Sequence, residues 1–141
     1  MNTLEKINSW HKSVNSWPRL DQLTVQAGCH AEEFAEMLRA LRPSRRVEMA
    51  IQVVEELATA WKSGNESFLI NDRAEMLDAL ADQIVTAVGV GHCARMQIVE
   101  ACERVNDSNY SKFEDGKPVF DANGKVRKGK DYYKVNLEGL H

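Results

Sequence analysis

Proline and cysteine occur three times each in the 141 residues, aromatic side chains make up 7% of them, and acidic groups outnumber basic ones by only three. Each scarcity excludes something. So few prolines rule out a collagen-like or proline-rich extended chain. Cys29, Cys93 and Cys102, odd in number and widely spaced, suit reduced thiols better than a disulfide framework. A formal charge of -3 and a pI near 5.8 give no general attraction for nucleic acid or an anionic membrane. No apolar run approaches the roughly 18 residues of a membrane span, and Met1 to Trp10 lacks the basic and apolar regions of a secretion signal. The expectation is a cytoplasmic protein, in the host cytoplasm if phage-encoded, with neither membrane nor nucleic acid as partner. No GxxxxGK[ST] occurs, since Lys128-Gly129-Lys130 lacks the following Ser or Thr, which excludes a P-loop. The neighbours Cys29-His30 and His92-Cys93 diverge by about 100° on a helix, and without CxxC spacing they do not make a zinc site.

What the chain does have is helical periodicity. Strand-like alternation is nearly absent before residue 110, whereas apolar residues recur at three and four over long windows. The pattern predicts helices over about 3–15, 21–41, 44–62, 73–93 and 96–106, punctuated by Trp17-Pro18, Pro43-Ser44, Ser63-Gly64-Asn65 and Asn71-Asp72. Four or five helices with short links imply an all-α antiparallel bundle, a single domain over residues 1–141 with its helical core at about 3–108. From about 109 to 141 the composition changes to an irregular, basic tail. Glu114-Asp115-Gly116-Lys117-Pro118 and Asp121-Ala122-Asn123-Gly124 are turn chemistry, and Pro118-Val119-Phe120 with Lys125-Val126-Arg127 is expected to pair as a small hairpin, an appendage to the bundle.

Chemistry concentrates in two acidic stripes. At about 100° per residue, Glu32, Glu33 and Glu36 on the second helix share an arc of roughly 100°, and Glu75, Asp78 and Asp82 on the fourth share roughly 60°. A solvated helix face would continue with lysines and further glutamates. Here the first stripe continues through Val25, Cys29 and Ala40 and the second through Ala79, Thr86, Gly89 and Cys93, so the carboxylates read as set into inward faces. Basic residues nearby in sequence are few, Arg39 and Arg73 foremost. Carboxylates crowded there need compensation, and an all-oxygen donor set selects Mg²⁺, with Mn²⁺ able to substitute. Among the aromatics, Trp61 continues an apolar stripe and is expected in the core, while Trp10, beside His11 and Asn15, is the candidate for stacking on a base.

Glu32-Glu33-Phe34-Ala35-Glu36 followed by Glu75-Met76-Leu77-Asp78 resembles the EExxE and ExxD pair of the all-α NTP pyrophosphohydrolase superfamily, which includes MazG, dimeric dUTPases and phosphoribosyl-ATP pyrophosphatases. Asp78-Ala79-Leu80-Ala81-Asp82, the exit Ser108-Asn109-Tyr110-Ser111-Lys112-Phe113, the Gly- and Lys-rich stretch beyond it and Tyr133 are similar to the MazG-like branch common in phage and bacterial genomes. The resemblance spans about residues 20–134. It implies a hydrolase that converts a (d)NTP to the (d)NMP and pyrophosphate by attack of a metal-activated water. Glu32, Glu33 and Glu36 would be catalytic, and with Glu75, Asp78 and Asp82 would form the metal set, Asp82 as a further ligand, an orienter or a charge at the rim. Asn109 and Lys112 would donate to phosphate, with Trp10 completing the substrate contacts. It also implies a homodimer or homotetramer, in keeping with a chain too short to bury all its helical faces. Two alternatives stand beside this: a phosphoribosyl-ATP pyrophosphatase, and a non-catalytic helical interaction module.

Overall fold

The computed structural model describes residues 1–122 and 124–141; Asn123, in the second expected turn, lies outside them. Five helices follow one another: α1 Thr3–Val14, α2 Leu20–Arg39, α3 Arg45–Lys62, α4 Arg73–Cys93 and α5 Ile98–Tyr110. Among the described residues there is no β-strand, only two isolated bridges. The all-α expectation holds with all five helices. Among the described residues, no helix is long and apolar enough to cross a membrane.

Local chemistry sets the starts. Asn2 closes a capping box on α1, its side chain accepting from Glu5 N–H at 3.0 Å while the Glu5 carboxylate accepts from Asn2 N–H at 2.7 Å. Ser44 accepts from Val47 N–H on α3, and Asp72 from Glu75 N–H at 3.0 Å on α4. The fifth helix departs from expectation, starting at Ile98 and running on to Tyr110 instead of stopping near Asn106. Asn106 and Ser108, turn formers by local propensity, are buried, and the Ser108 hydroxyl donates to Tyr133 C=O at 2.8 Å, so tertiary contacts hold the extra turn.

The chain divides into two compact units, residues 17–71 and residues 1–16 with 72–141. The first is the α2–α3 hairpin. Arg39 pairs with Glu55 and Glu32 with Lys62, so the later residue of α2 meets the earlier residue of α3 and the two helices run antiparallel. Their seam is built from small residues: Ala35 is fully buried, Ala58 nearly so, and a Cβ on Gly28 would lie 2.6 Å from Lys62 Cγ and 3.0 Å from Ala58 O. Absence of a side chain at Gly28 is what lets the backbones approach. Trp61 is half-buried and packs against Phe68, ring centroids 5.0 Å apart.

In the second unit α1 lies against α5 through Thr3 Oγ1 donating to Glu103 Oε1 (2.9 Å) and Tyr110 Oη donating to Lys6 C=O (3.2 Å). Gly91 of α4 meets Ile98 of α5 so closely that a Cβ would stand 2.8 Å from Ile98 Cβ. The C-terminal segment is not an appendage. Gly129 N–H donates to Lys112 C=O (2.9 Å), Arg104 to Asn136 C=O (3.1 Å) and Gln97 N–H to Leu140 C=O (2.8 Å), and Leu140 is buried. Irregular chain has no periodicity to reveal such packing, because its backbone groups are satisfied one at a time. The expected hairpin is reduced to a single Phe120–Val126 bridge, with Arg127 N–H donating to Val119 C=O. A tighter turn precedes it, where Glu114 and Lys117 exchange backbone hydrogen bonds and Asp115 and Gly116 both have positive φ (50° and 75°), the signature of a type I′ turn.

Candidate functional site

On α2 the three glutamates differ in surroundings. Glu32, beside the buried seam, accepts from Lys62 Nζ at 2.5 Å, and this hydrogen bond raises the Lys62 pKa above its ordinary value. Glu33 and Glu36 are exposed, as are Val25 and Ala40 of the same stripe, so this face borders the seam and does not enter it. The Glu33 carboxyl is nevertheless held above the usual carboxylate range, first by partial burial and then by the charges of Glu36 and Glu32, with His30 and Lys62 acting the other way. Three carboxylates within five residues therefore repel one another. Glu32 and the Arg39–Glu55 ion pair line an open groove of about 480 Å³ along the α2–α3 seam, completed by Thr59, Lys62 and Ser63. Arg39 compensates Glu55 of α3 instead of the α2 stripe. No motif marks Lys62 and Glu55 as parts of this surface, although each follows from the antiparallel register once α2 and α3 are paired.

The α4 set stands differently. Glu75 lies in the first turn, Asp78 and Asp82 follow at successive turns, and all three are exposed. Among the described residues no ion pair engages them, and the Asp82 backbone carbonyl accepts from Thr86 Oγ1 at 2.8 Å. The expected inward stripe is corrected here: Ala79, Thr86, Gly89 and Cys93 are exposed. Small residues do not by themselves signal burial on a helix that is apolar around much of its circumference, and Leu77, Ile84, Val85 and Val90 are exposed as well. The α2 and α4 carboxylates belong to different units, and among the described residues no three His, Cys, Asp or Glu side chains gather to hold a metal ion. By chemistry the donors suit a hard divalent cation, since every candidate ligand is a carboxylate.

The three residues expected to contact substrate do come together at the exit of α5. Lys112 Nζ donates to Asn109 Oδ1 at 2.8 Å and lies 5.9 Å from the centroid of the Trp10 ring. Trp10 is half-buried and lies nearly parallel to Phe113, centroids 6.2 Å apart, so packing occupies part of the surface that a base would use. Its indole N–H is buried and, among the described residues, has no acceptor. Lys112 is held below its ordinary pKa by partial burial and by the charges of Lys128 and Lys125.

No protein-family model, curated protein or solved structure matches the chain.

Proposed function

We propose that this chain is a MazG-like, metal-dependent nucleoside triphosphate pyrophosphohydrolase that cleaves a (d)NTP to the (d)NMP and pyrophosphate. The observation that carries the reading is the crowding of Glu32, Glu33 and Glu36 on one face of α2, where burial first and the charges of Glu36 and Glu32 second hold the Glu33 carboxyl above its ordinary pKa. Glu32, Glu33 and Glu36 of α2 would hold Mg²⁺ or Mn²⁺, and Glu75, Asp78 and Asp82 of α4 offer a second all-carboxylate donor set. Such a cation, when bound, neutralises phosphate charge and acidifies water.

Water oxygen bonds to the α-phosphorus as the bond from that phosphorus to the bridging oxygen breaks, and pyrophosphate leaves with the bridging oxygen. The water's proton goes to a carboxylate. Glu33, exposed on α2 between Glu32 and Glu36, is the proposed acceptor. Lys62 occupies Glu32 Oε2 and so competes with a cation for that one of the carboxylate's two oxygens. Asn109 retains its amide N–H groups after accepting from Lys112, leaving donors for phosphate oxygens. The exposed apolar surface of α4 supports self-association as a homodimer or homotetramer, since a helix that is apolar on most sides needs protein cover.

Pyrophosphate release from a panel of canonical and modified NTPs and dNTPs, assayed with Mg²⁺ and with chelator, tests the reading. Turnover that requires Mg²⁺ or Mn²⁺ is expected; robust turnover in chelator, or none on any nucleotide, overturns it. Including phosphoribosyl-ATP in the panel separates the related pyrophosphatase.

A further inference from the structure

The C-terminal segment brings lysines to a place where a lysine already stands partly buried. Gly129 is pressed against the α5 exit: its N–H donates to Lys112 C=O at 2.9 Å, and a Cβ there would lie 2.5 Å from that oxygen and 2.8 Å from Glu114 Cγ. The next residue is pinned as well, Lys130 N–H donating to Glu114 Oε1 at 3.0 Å. The preceding one, Lys128, sets its ammonium 4.9 Å from the centroid of the Tyr132 ring. Upstream, Asp121 N–H donates to Lys125 C=O at 2.8 Å and Lys125 N–H to Asp121 Oδ1 at 3.0 Å, which positions Lys125 beside the Phe120–Val126 bridge. Lys128 adjoins the Gly129–Lys112 backbone contact, Lys125 adjoins the Phe120–Val126 bridge, the charges of both act on the Lys112 ammonium, and among the described residues no ion pair engages any of the three.

Like charges assembled by a scaffold are unfavourable unless something of opposite charge relieves them. The donors offered here are three ammoniums and the Asn109 amide. Two carboxylates stand nearby, and each spends one oxygen on a backbone N–H, Glu114 on that of Lys130 and Asp121 on that of Lys125. A ligand made of acceptor oxygens with several negative charges fits this inventory.

We infer that Lys125 and Lys128 of the C-terminal segment join Lys112 and Asn109 in a binding site for the oligophosphate of a free nucleotide, with Gly129 as the close-packed pivot that holds the segment in place. The inference deepens the proposed activity and rests on it for the nucleotide; the anion site itself is tested without turnover. The ammoniums act as charge-assisted donors to separate phosphate oxygens, so affinity should rise with the number of phosphates.

The probe is inorganic tripolyphosphate in metal-free buffer with chelator, its binding measured by calorimetry on the full chain. Lys125→Gln/Lys128→Gln should weaken binding about tenfold or more. The charge-matched Lys12→Gln/Lys134→Gln should bind as wild type, and Lys125→Arg/Lys128→Arg should retain binding, which separates charge from packing of the segment. Circular dichroism checks that each variant is folded. Equal affinity of the Gln pair and wild type, or loss of binding in the Arg pair, overturns the inference. So does tighter binding of a short single-stranded DNA than of tripolyphosphate, which would make the site a nucleic-acid surface. Lysine-dependent tripolyphosphate binding without hydrolysis of any nucleotide supports the anion site while the proposed activity fails; hydrolysis with no effect of the Gln pair on binding does the reverse.

Discussion

α2 and α4 carry three carboxylates each on one face, but the chain answers them differently. On α2, Glu32 has Lys62 at 2.5 Å and the seam beside it is closed by Gly28, Ala35 and Ala58. On α4, Glu75, Asp78 and Asp82 are exposed, as are Leu77, Ile84, Val85 and Val90. One helix has found its partner within the chain, and its acidic stripe lies at the rim of that packing. The other presents charge and apolar surface together. A shared acidic pattern therefore says little about burial; the residues between the carboxylates and the helix they face decide it.

The comparison can be broken most directly at the carboxylates. Glu36→Gln and Glu75→Gln should each lower pyrophosphate release about 100-fold. Wild-type turnover in Glu75→Gln alone would make the α4 set a solvated surface and leave α2 as the acidic site. Next comes the apolar side of α4: Leu77→Glu/Val85→Glu should shift the protein from oligomer to monomer by light scattering. An unchanged mass for that variant would show that this surface is not what joins copies.

Two glycines offer a matched test of packing. Gly28→Ala forces a Cβ into Lys62 and the Ala58 carbonyl and should cost about 1–3 kcal/mol by denaturant titration. A Cβ on Gly89 of α4 would meet no atom within 4 Å among the described residues, so Gly89→Ala should gain about 0.5–1 kcal/mol from helix propensity. Destabilisation by Gly89→Ala would show that a copy's backbone approaches α4 there.

The smallest effect concerns protons. Because the folded-state pKa of Glu33 is raised, the folded chain binds more protons than the unfolded one between the ordinary and the raised value, and stability falls as pH rises through that window. Glu33→Gln should therefore raise the melting temperature at pH 7 on the order of 1 °C, screening by solvent keeping the gain small, and leave it unchanged in acid. Mg²⁺ should stabilise wild type more than the variant. A melting temperature that drops at pH 7 would contradict the repulsion assigned to the α2 stripe.

Helices α1, α3 and α4 are legible in the sequence within a residue or two because their caps and breaks are local: Asn2 with Glu5, Ser44 after Pro43, and Asp72 before Arg73. The end of α5 is not, since Ser108 and Asn109 favour turns until Tyr133 supplies an acceptor for the Ser108 hydroxyl. Of the candidate site, the acidic stripes are visible as residue types at helical spacing, whereas Asn109 and Lys112 enter through the family resemblance and Trp10 as an aromatic on the first helix. Lys62 beside Glu32 and the lysines at the α5 exit are not, because pairing between residues 30 apart in one case and 13 to 16 apart in the other has no local signature.

What the sequence by itself determined is the helical content, the places where helices start, and the repulsion built into Glu32, Glu33 and Glu36, all consequences of interactions spanning four residues or fewer. Tertiary structure alone decided that α3 sends Lys62 to Glu32, that α4 stays exposed, and that the C-terminal segment folds back so that Gly129 meets Lys112. The physical reason is range: helix formation is settled by neighbours along the chain, whereas the burial of a face and the company of a charge depend on which distant backbone can come close enough to touch it.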